Sequence, residues 1–334
     1  MKILFNCSVP FSLVHGGQAI QIQQTMAALA GLGVEVEPLR WWDETQTGEV
    51  IHHFGRMPAD QIRFAHAKKI KVVMAELLTA QGSRSGPQLR LQKYISRGLA
   101  QLAPRSFIAS YNWDSYRLAD AVVAITPWEK HLMEYLFGAD PQKIHVIPNG
   151  VEETFLNSPP VPRGPWLICT ATITERKRVL ELAQAAVVAE TPVWIIGRAY
   201  AEDDLYAQKF FQLAKQAPRF IRYEGAISDR AKLAAIYRAA RGFVLLSTME
   251  SLSLSALEAT ACGCPLLLSD LPWAHGASVQ GAQLCPVTDA VSVTAAALRS
   301  FYDAAPDLPC PPKPATWPEV GRQFLAVYEK ALQG

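Results

Sequence analysis

The chain has 334 residues, with 32 Lys and Arg against 30 Asp and Glu and a formal net charge of +2. Near-balance excludes attachment to nucleic acid or membrane through overall charge, so any electrostatic partner must meet a local patch. Half of the residues are hydrophobic and 19% are charged, which excludes a disordered chain and, at this length, suggests about two domains with their own cores.

No apolar run approaches the roughly 20 residues that a membrane span needs. The first stretch, MKILFNCSVPF, carries one Lys and is too short for a signal peptide, so a cytoplasmic protein is expected. Six cysteines (7, 169, 262, 264, 285 and 310) lack paired CxxC spacing and read as reduced core residues rather than disulfides or metal ligands.

Met1 to Ser8 reads as a buried strand. The VHGGQ turn, with Gly16 and Gly17, leads into a helix over Ala19–Ala30, a strand–glycine–helix order that lets backbone approach a phosphate, although a plain tight turn has the same composition. Residues 49–54 and 70–75 are further strands with helical Ala59–Ala67 between them, the alternation of an α/β domain. His52 and His53 end an apolar run, where a packed or capping role is favoured over a catalytic one.

No acidic residue occurs between Leu77 and Trp113, whereas Arg84, Arg90, Lys93, Arg97 and Arg105 do. With Leu89, Leu91, Tyr94, Ile95, Leu99 and Leu102 this makes a basic amphipathic helix or helix pair. It suits either a solvated surface or peripheral contact of residues 84–105 with the anionic inner face of a membrane. Residues 119–127 give the last strand of the first domain, Trp128–Phe137 a helix, and Lys143–Glu152 a strand ending in a Pro-Asn-Gly turn. The proline-rich linker covers 157–165.

The second domain opens with a strand over Trp166–Thr172 and the turn Thr174-Glu175-Arg176-Lys177-Arg178 before a helix. Three basic residues at a strand-to-helix mouth favour contact with an anion over a helix-surface patch, Arg178 being expected to be a surface cation whose loss is nearly silent. Strand Val193–Gly197 is followed by Arg198, which points toward a ligand edge or pairs with Glu202 or Asp203. A helix over Asp204–Ala217, a strand over Phe220–Tyr223 and a helix over Arg230–Ala240 lead to the central stretch.

That stretch runs from Gly242 to Asp270. GFVLLS is too uniformly apolar for a strand with a wet face, so it is a buried parallel strand. From Ser253 the apolar positions take helical spacing until Gly263, and Pro265 begins another strand. Ligands bind at the carboxyl ends of such strands, against the next helix N-terminus. Glu250 and Glu258 flank this point. If the helix starts only after Glu250, the two carboxylates can hold the ends of one ligand while the amides of Ser251, Leu252, Ser253 and Leu254, read as the unpaired donors of a helix start, receive a phosphate between them. A polyol–phosphate–polyol ligand is a nucleotide sugar. Residues 304–318 are proline-rich, and Glu319–Leu332 is the last helix.

The run Glu-Ser-Leu-Ser-Leu-Ser-Ala-Leu-Glu-Ala followed by Ala-Cys-Gly-Cys-Pro and an apolar strand resembles the signature of retaining glycosyltransferases of family four, group 1. These are α/β enzymes of GT-B architecture, with two Rossmann-like domains facing a cleft and a terminal helix crossing back. Residues 119–127 and 143–152 resemble that family's last strand and interdomain junction.

The resemblance implies three segments. Residues 1–155 form an acceptor-binding domain, 156–316 a nucleotide-sugar-binding domain, and 317–334 the crossing helix. It further implies that Glu250 contacts the donor sugar, Glu258 the ribose hydroxyls and the intervening amides the diphosphate. The loop that carries Gly16 and Gly17 lies across the cleft, lining the acceptor side or the donor diphosphate, and both glycines are assigned to donor binding. Lys177 matches the family's diphosphate Lys. The family's Arg falls on Ala171 or Thr172 here, so Arg176 is assigned as its substitute. The family usually has glycines where Ser251 and Ser253 stand, and its strand-end His falls on Met74-Ala75-Glu76, so no such His is assigned.

The implied activity is hexosyl transfer with retention from a UDP- or GDP-linked sugar to a glycan or lipid-linked acceptor. No cofactor or metal takes part, and the leaving diphosphate accepts the acceptor proton. The residues also leave open a non-catalytic nucleotide-sugar-binding protein and a sugar-nucleotide epimerase. Nucleic-acid binding through residues 84–105 is a further class, separated by salt-dependent oligonucleotide binding, and is not the expected partner.

Overall fold

The computed structural model describes residues 1–7, 16–102, 111–157, 161–201, 203–276, 281–309 and 312–334. Val14, His15, Arg105, Glu202 and Cys310, which enter the expectations above, lie outside them. The chain divides into two compact units, Met1–Gly150 with Ala315–Gly334, and Val151–Pro314.

The first unit carries strands β1 (Lys2–Cys7), β2 (Glu35–Pro38), β3 (Val50–Phe54), β4 (Lys71–Ala75), β5 (Ala121–Ala124) and β6 (Ile144–Val146). They form one parallel sheet in the order β2-β1-β3-β4-β5-β6. All five residues of β3 are buried, as a strand covered by helices on both faces requires. β2 has no counterpart among the predicted elements because Glu-Val-Glu-Pro lacks an apolar run. It pairs only with β1, an edge place that tolerates its proline, and Lys2 Nζ reaches both Glu35, at 3.0 Å, and Glu37.

Helices Gly17–Gly31, Ala59–Ala67 and Pro127–Phe137 flank the sheet. Thr126 caps the last of these, its hydroxyl accepting from the Glu129 amide, and Gly138 closes it in the left-handed region, a pairing of cap and glycine that sets both ends locally. The final helix, Trp317–Gln333, begins in a capping box between Thr316 and Glu319. It packs on helix Gly17–Gly31, where a Cβ at Gly321 would stand 2.9 Å from Ala28 Cβ.

His52 and His53 are packing groups in this unit. His52 is fully buried between Phe5, Phe54 and Phe324, with Nδ1 2.6 Å from the Tyr328 hydroxyl. The Asn6 amide donates to His53 Nδ1 at 2.8 Å, which leaves the ring proton on Nε2. Burial pushes His52 down to about 3 and His53 to about 4 from an ordinary 6.5. Both rings are therefore neutral when folded, while the unfolded chain takes up protons near pH 6.5.

Stability should fall as pH drops from about 6.5 toward 4, by on the order of 4 kcal/mol for the pair at about pH 5. Melting measured across that window should show the slope, and the His52→Phe, His53→Gln double variant should flatten it. An equal slope in the variant would show that other groups carry the acid sensitivity.

The second unit carries β7 (Leu167–Thr170), β8 (Val193–Ile196), β9 (Ile221–Tyr223), β10 (Gly242–Leu245), β11 (Leu266–Ser269) and β12 (Gln283–Cys285). They form a parallel sheet in the order β12-β11-β10-β7-β8-β9. Helices Val179–Val188, Leu205–Gln216, Arg230–Ala239, Leu254–Ala261 and Val291–Ala304 connect them. Asp204, Asp229 and Ser253 cap three of these through their side chains. β12 has three residues and no periodicity to announce it. Helix Val291–Ala304 was not among the predicted elements either, although Ala295, Leu298 and Phe301 fall at helical spacing on its buried side.

Candidate active site

A doubly wound sheet binds ligands beyond the carboxyl ends of its strands, where the strand order reverses. In the second unit that reversal lies between β7 and β10. The loops after these two strands hold the predicted residues.

After β7 the chain makes a single 3₁₀ turn, Glu175–Lys177, and enters helix Val179–Val188 through Arg178, whose φ of 51° is left-handed. After β10 it runs through residues 246–253 to Ser253, the cap of helix Leu254–Ala261. Backbone bonds lock the two loops together. The Thr248 amide donates to the Arg176 carbonyl at 2.8 Å and the Ser247 hydroxyl to the same oxygen at 3.2 Å. A third loop is drawn in at Gly197, where a Cβ would stand 1.8 Å from the Ala171 carbonyl oxygen and φ is +156°. Only glycine allows that crossing.

Within this frame Arg176, Lys177 and Glu250 meet. Lys177 Nζ donates to Glu250 Oε1, and Arg176 Nη1 donates to that oxygen at 3.2 Å and to the Met249 carbonyl at 2.6 Å. Lys177 and Glu250 are mostly buried and Arg176 is more open. Two cations against one carboxylate leave an excess positive charge, and an ammonium has three donors of which Glu250 takes one. The group is therefore suited to an anion that approaches Glu250.

Arg178 departs from expectation. It is buried, and its guanidinium Nη2 donates to the Thr288 carbonyl at 2.5 Å. The left-handed backbone at 178 turns the third basic side chain of the run inward, so it is a structural clamp and not a surface cation. Its removal would take a donor from the half-buried Thr288 carbonyl, a cost of about 0.5–1.5 kcal/mol.

The helix start also differs in detail. Because Ser253 is the cap, the first-turn amides are those of Leu254 to Ala256, and the Ser253 hydroxyl accepts from Ala256 N at 3.4 Å. Ser251 and Leu252 precede the cap, hold interactions of their own and are not helix-start donors. The first turn carries no acidic side chain, which leaves its positive dipole end available to an anion.

Glu258 rises from the second turn and is buried. Arg230 Nη2 donates to its Oε1, and the Tyr237 hydroxyl donates to its Oε2 at 3.2 Å. Burial raises the Glu258 carboxyl above its usual range, and Arg230 opposes that rise. Arg230 also donates from Nε to Glu152 at 2.8 Å and lies over the Phe155 ring at 4.7 Å. Arg230, Tyr237 and Glu152 are site residues that the sequence did not announce. The one signal was the capping Asp229, which sets Arg230 at a helix start but does not say which way its side chain turns.

The remaining predicted residues are not drawn into these contacts. Arg198 is exposed, with its carbonyl accepting from Ile173 N at 3.1 Å, and Glu202 lies outside the described residues. Gly16 and Gly17 belong to the first unit, where Gly16 is extended and Gly17 opens helix Gly17–Gly31 with no side-chain cap. A Cβ on Gly16 would meet nothing within 4 Å.

Also in the first unit, Glu76 ends the Met74-Ala75-Glu76 stretch in which no His could be assigned. Arg56 holds it by two bonds of 2.9 and 3.0 Å, and the Tyr116 hydroxyl donates to it at 2.5 Å. Among the described residues no group of three His, Cys, Asp or Glu is set to hold a metal.

Comparison with known proteins matches both halves of the chain. Residues 164–303 match the family model of glycosyl transferases group 1, and residues 49–155 match that of Glycosyltransferase Family 4. A D-inositol 3-phosphate glycosyltransferase of Jonesia denitrificans is 29% identical over 178 residues, 45% of this chain and 41% of that one, so the match spans less than half the length of this relative.

Among solved structures, a glycosyltransferase from Rickettsia africae superposes over 100% of this chain and 98% of its own, with TM-score 0.68 and 13% identity. Anabaena HepE in complex with UDP and glucose does so over 98% and 99%, with TM-score 0.63 and 14% identity. At such identities the likeness shows the fold alone. Taken with the two family matches and the two parallel α/β sheets, it places this chain among the group 1, family 4 glycosyltransferases, with their GT-B pair of Rossmann-like units.

Proposed function

We propose that the chain transfers a hexosyl group, with retention, from a UDP- or GDP-linked sugar to a glycan or lipid-linked acceptor. The observation that carries this reading is Glu250 held between Lys177 and Arg176 at the strand-order reversal, beside an acid-free helix start. The second unit then binds the donor and the first the acceptor. The diphosphate lies against the first-turn amides and takes up the spare donors of Lys177 and Arg176. Glu250 faces the sugar.

Each oxygen of Glu258 keeps a lone pair beyond the bonds from Arg230 and Tyr237, and these receive the ribose hydroxyls. As the sugar–phosphate bond breaks, the leaving diphosphate takes the acceptor proton on the same face, while the two cations hold the charge that grows on it. Sugar and uridine diphosphate in the HepE complex support a donor of this class. No cofactor or metal enters the scheme.

Melting in the presence of UDP, GDP and a panel of their sugars tests the reading. A matched nucleotide at about 100 times its Kd should stabilise the fold by about 2.7 kcal/mol. Donor consumption should then require an acceptor, and the anomeric configuration of the product should equal that of the donor. If neither nucleotide shifts the melt, the site is misread. Binding without turnover on any acceptor favours the non-catalytic reading, for which Glu76, engaged by Arg56 and Tyr116 in the stretch where no His could be assigned, is the supporting observation.

A further inference from the structure

Helix Gly86–Leu102 is turned outward. At about 100° per residue, Leu91, Tyr94, Ile95 and Leu102 fall within about 100° of one another around its axis. In most surface helices that sector faces the core. Here the four side chains are 61%, 75%, 53% and 89% exposed.

The opposite side is the one that is anchored. Leu89 is buried in the core beside Leu132 and Leu136 of helix Pro127–Phe137, and Lys93 Nζ stands 3.5 Å over the Tyr135 ring. The helix is thus fixed by its inner face while a stripe of Leu, Tyr, Ile and Leu, with Gly98 between, is held toward solvent. Burying that much apolar surface in the fold would have been favourable, and the fold leaves it out.

Charge decides what covers it. Arg90 and Arg97 are exposed and border the Tyr94 edge of the stripe, and no acidic residue occurs from Leu77 to Trp113. A second copy of the chain docking through the same face would oppose these arginines to their own counterparts. An anionic lipid surface meets both features at once. The apolar stripe enters the boundary between headgroups and acyl chains, Tyr94 sits at headgroup level, and Arg90 and Arg97 face lipid phosphates. At 17 residues the helix presents about 25 Å lying in the plane of the surface.

We propose that the outward face of helix 86–102 docks the chain reversibly on an anionic bilayer, with Leu91, Tyr94, Ile95 and Leu102 inserted and Arg90 and Arg97 as the charge contacts. The inference is independent of glycosyl transfer and stands or falls without any donor or acceptor.

The test is flotation of the full chain with vesicles of phosphatidylcholine alone and of equimolar phosphatidylcholine and phosphatidylglycerol. Binding is expected on the second only, and to fade as salt shortens the Debye length. Arg90→Glu with Arg97→Glu should weaken it by about thirtyfold or more, from about one tenfold step for each 1.4 kcal/mol and about 1 kcal/mol for each basic residue near the surface. Tyr94→Ser with Ile95→Ser should weaken it by about tenfold or more.

All four positions are exposed, so the melts should match the parent. Lys209→Glu, exposed on the other unit, should leave binding unchanged. Equal binding to neutral and anionic vesicles overturns the proposal, as does charge reversal that leaves binding intact. Sedimentation showing a dimer that Tyr94→Ser with Ile95→Ser dissociates overturns it in favour of a second copy.

Discussion

Changing Lys177 to alanine should lower turnover of the matched donor and acceptor by about 10²–10³-fold, the usual loss when one preorganised electrostatic group is removed. In the structure the ammonium is held in place, because Glu250 accepts one of its protons and the surrounding loops keep it mostly buried. On the proposed reading it needs no reorganisation when charge appears on the leaving diphosphate, and it should stabilise the transition state more than the bound donor. The loss should therefore fall on kcat more than on KM.

Arg176→Ala should cost less, since Arg176 is the more exposed of the pair and donates as much to the Met249 carbonyl as to Glu250. Arg178 is unsuitable as a silent comparison because it clamps Thr288. Lys209, on an exposed helix face, serves instead. Turnover by Lys177→Ala within about threefold of the parent would make the lysine a structural partner of Glu250 and place the diphosphate elsewhere.

The loops that carry Glu250 and the Arg176–Lys177 turn could be placed from sequence because what punctuates each is local, although their meeting joins positions 73 and 74 residues apart, which no spacing gives. Gly242, Ser253, Gly263 and Pro265 punctuate a strand, a helix and a strand within thirty residues, and the basic turn follows its own strand by a few positions. Arg230 could not be located in this way. Its partners Glu152 and Glu258 are 78 and 28 residues away, and no spacing rule links them.

Arg178 shows a second limit. Three consecutive basic residues say nothing about which one turns inward, because that depends on a left-handed φ at one position. The helix over 86–102 shows a third. Periodicity defines an apolar face but not its direction, and only the anchoring of Leu89 and Lys93 tells that Leu91, Tyr94 and Ile95 look outward. The short edge strands β2 and β12 escaped because their order comes from pairing with β1 and β11 rather than from their own composition.

Arg230→Ala should destabilise the protein by about 2–3 kcal/mol, the cost of leaving the buried Glu258 carboxylate without its half-buried charged partner. The Glu258 side chain is only 8% exposed, and without the guanidinium it would retain the Tyr237 hydroxyl alone. Burial already raises its carboxyl against the pull of Arg230, so in the variant the rise should be larger. A carboxyl whose folded pKa lies above its unfolded one contributes stability at low pH and loses it as pH rises through the folded value. The deficit of Arg230→Ala should accordingly be greatest near neutrality and shrink toward about pH 4.

Adding Glu258→Gln should recover most of the loss, since a buried amide carries no charge to strand. The double-mutant cycle should then report a coupling of about 2–3 kcal/mol. Glu152 lies on the other side of the same guanidinium, at 2.8 Å, but is the more exposed of the two carboxylates, and Glu152→Gln should cost under about 1 kcal/mol. Nucleotide affinity separates folding from function here. Glu258→Gln alone should melt near the parent yet bind the matched nucleotide more weakly, because a charged acceptor for ribose hydroxyls is worth about 1.5–3 kcal/mol. If Arg230→Ala melts with the parent at neutral pH, the carboxylate has another partner, and Arg230 is not what holds it.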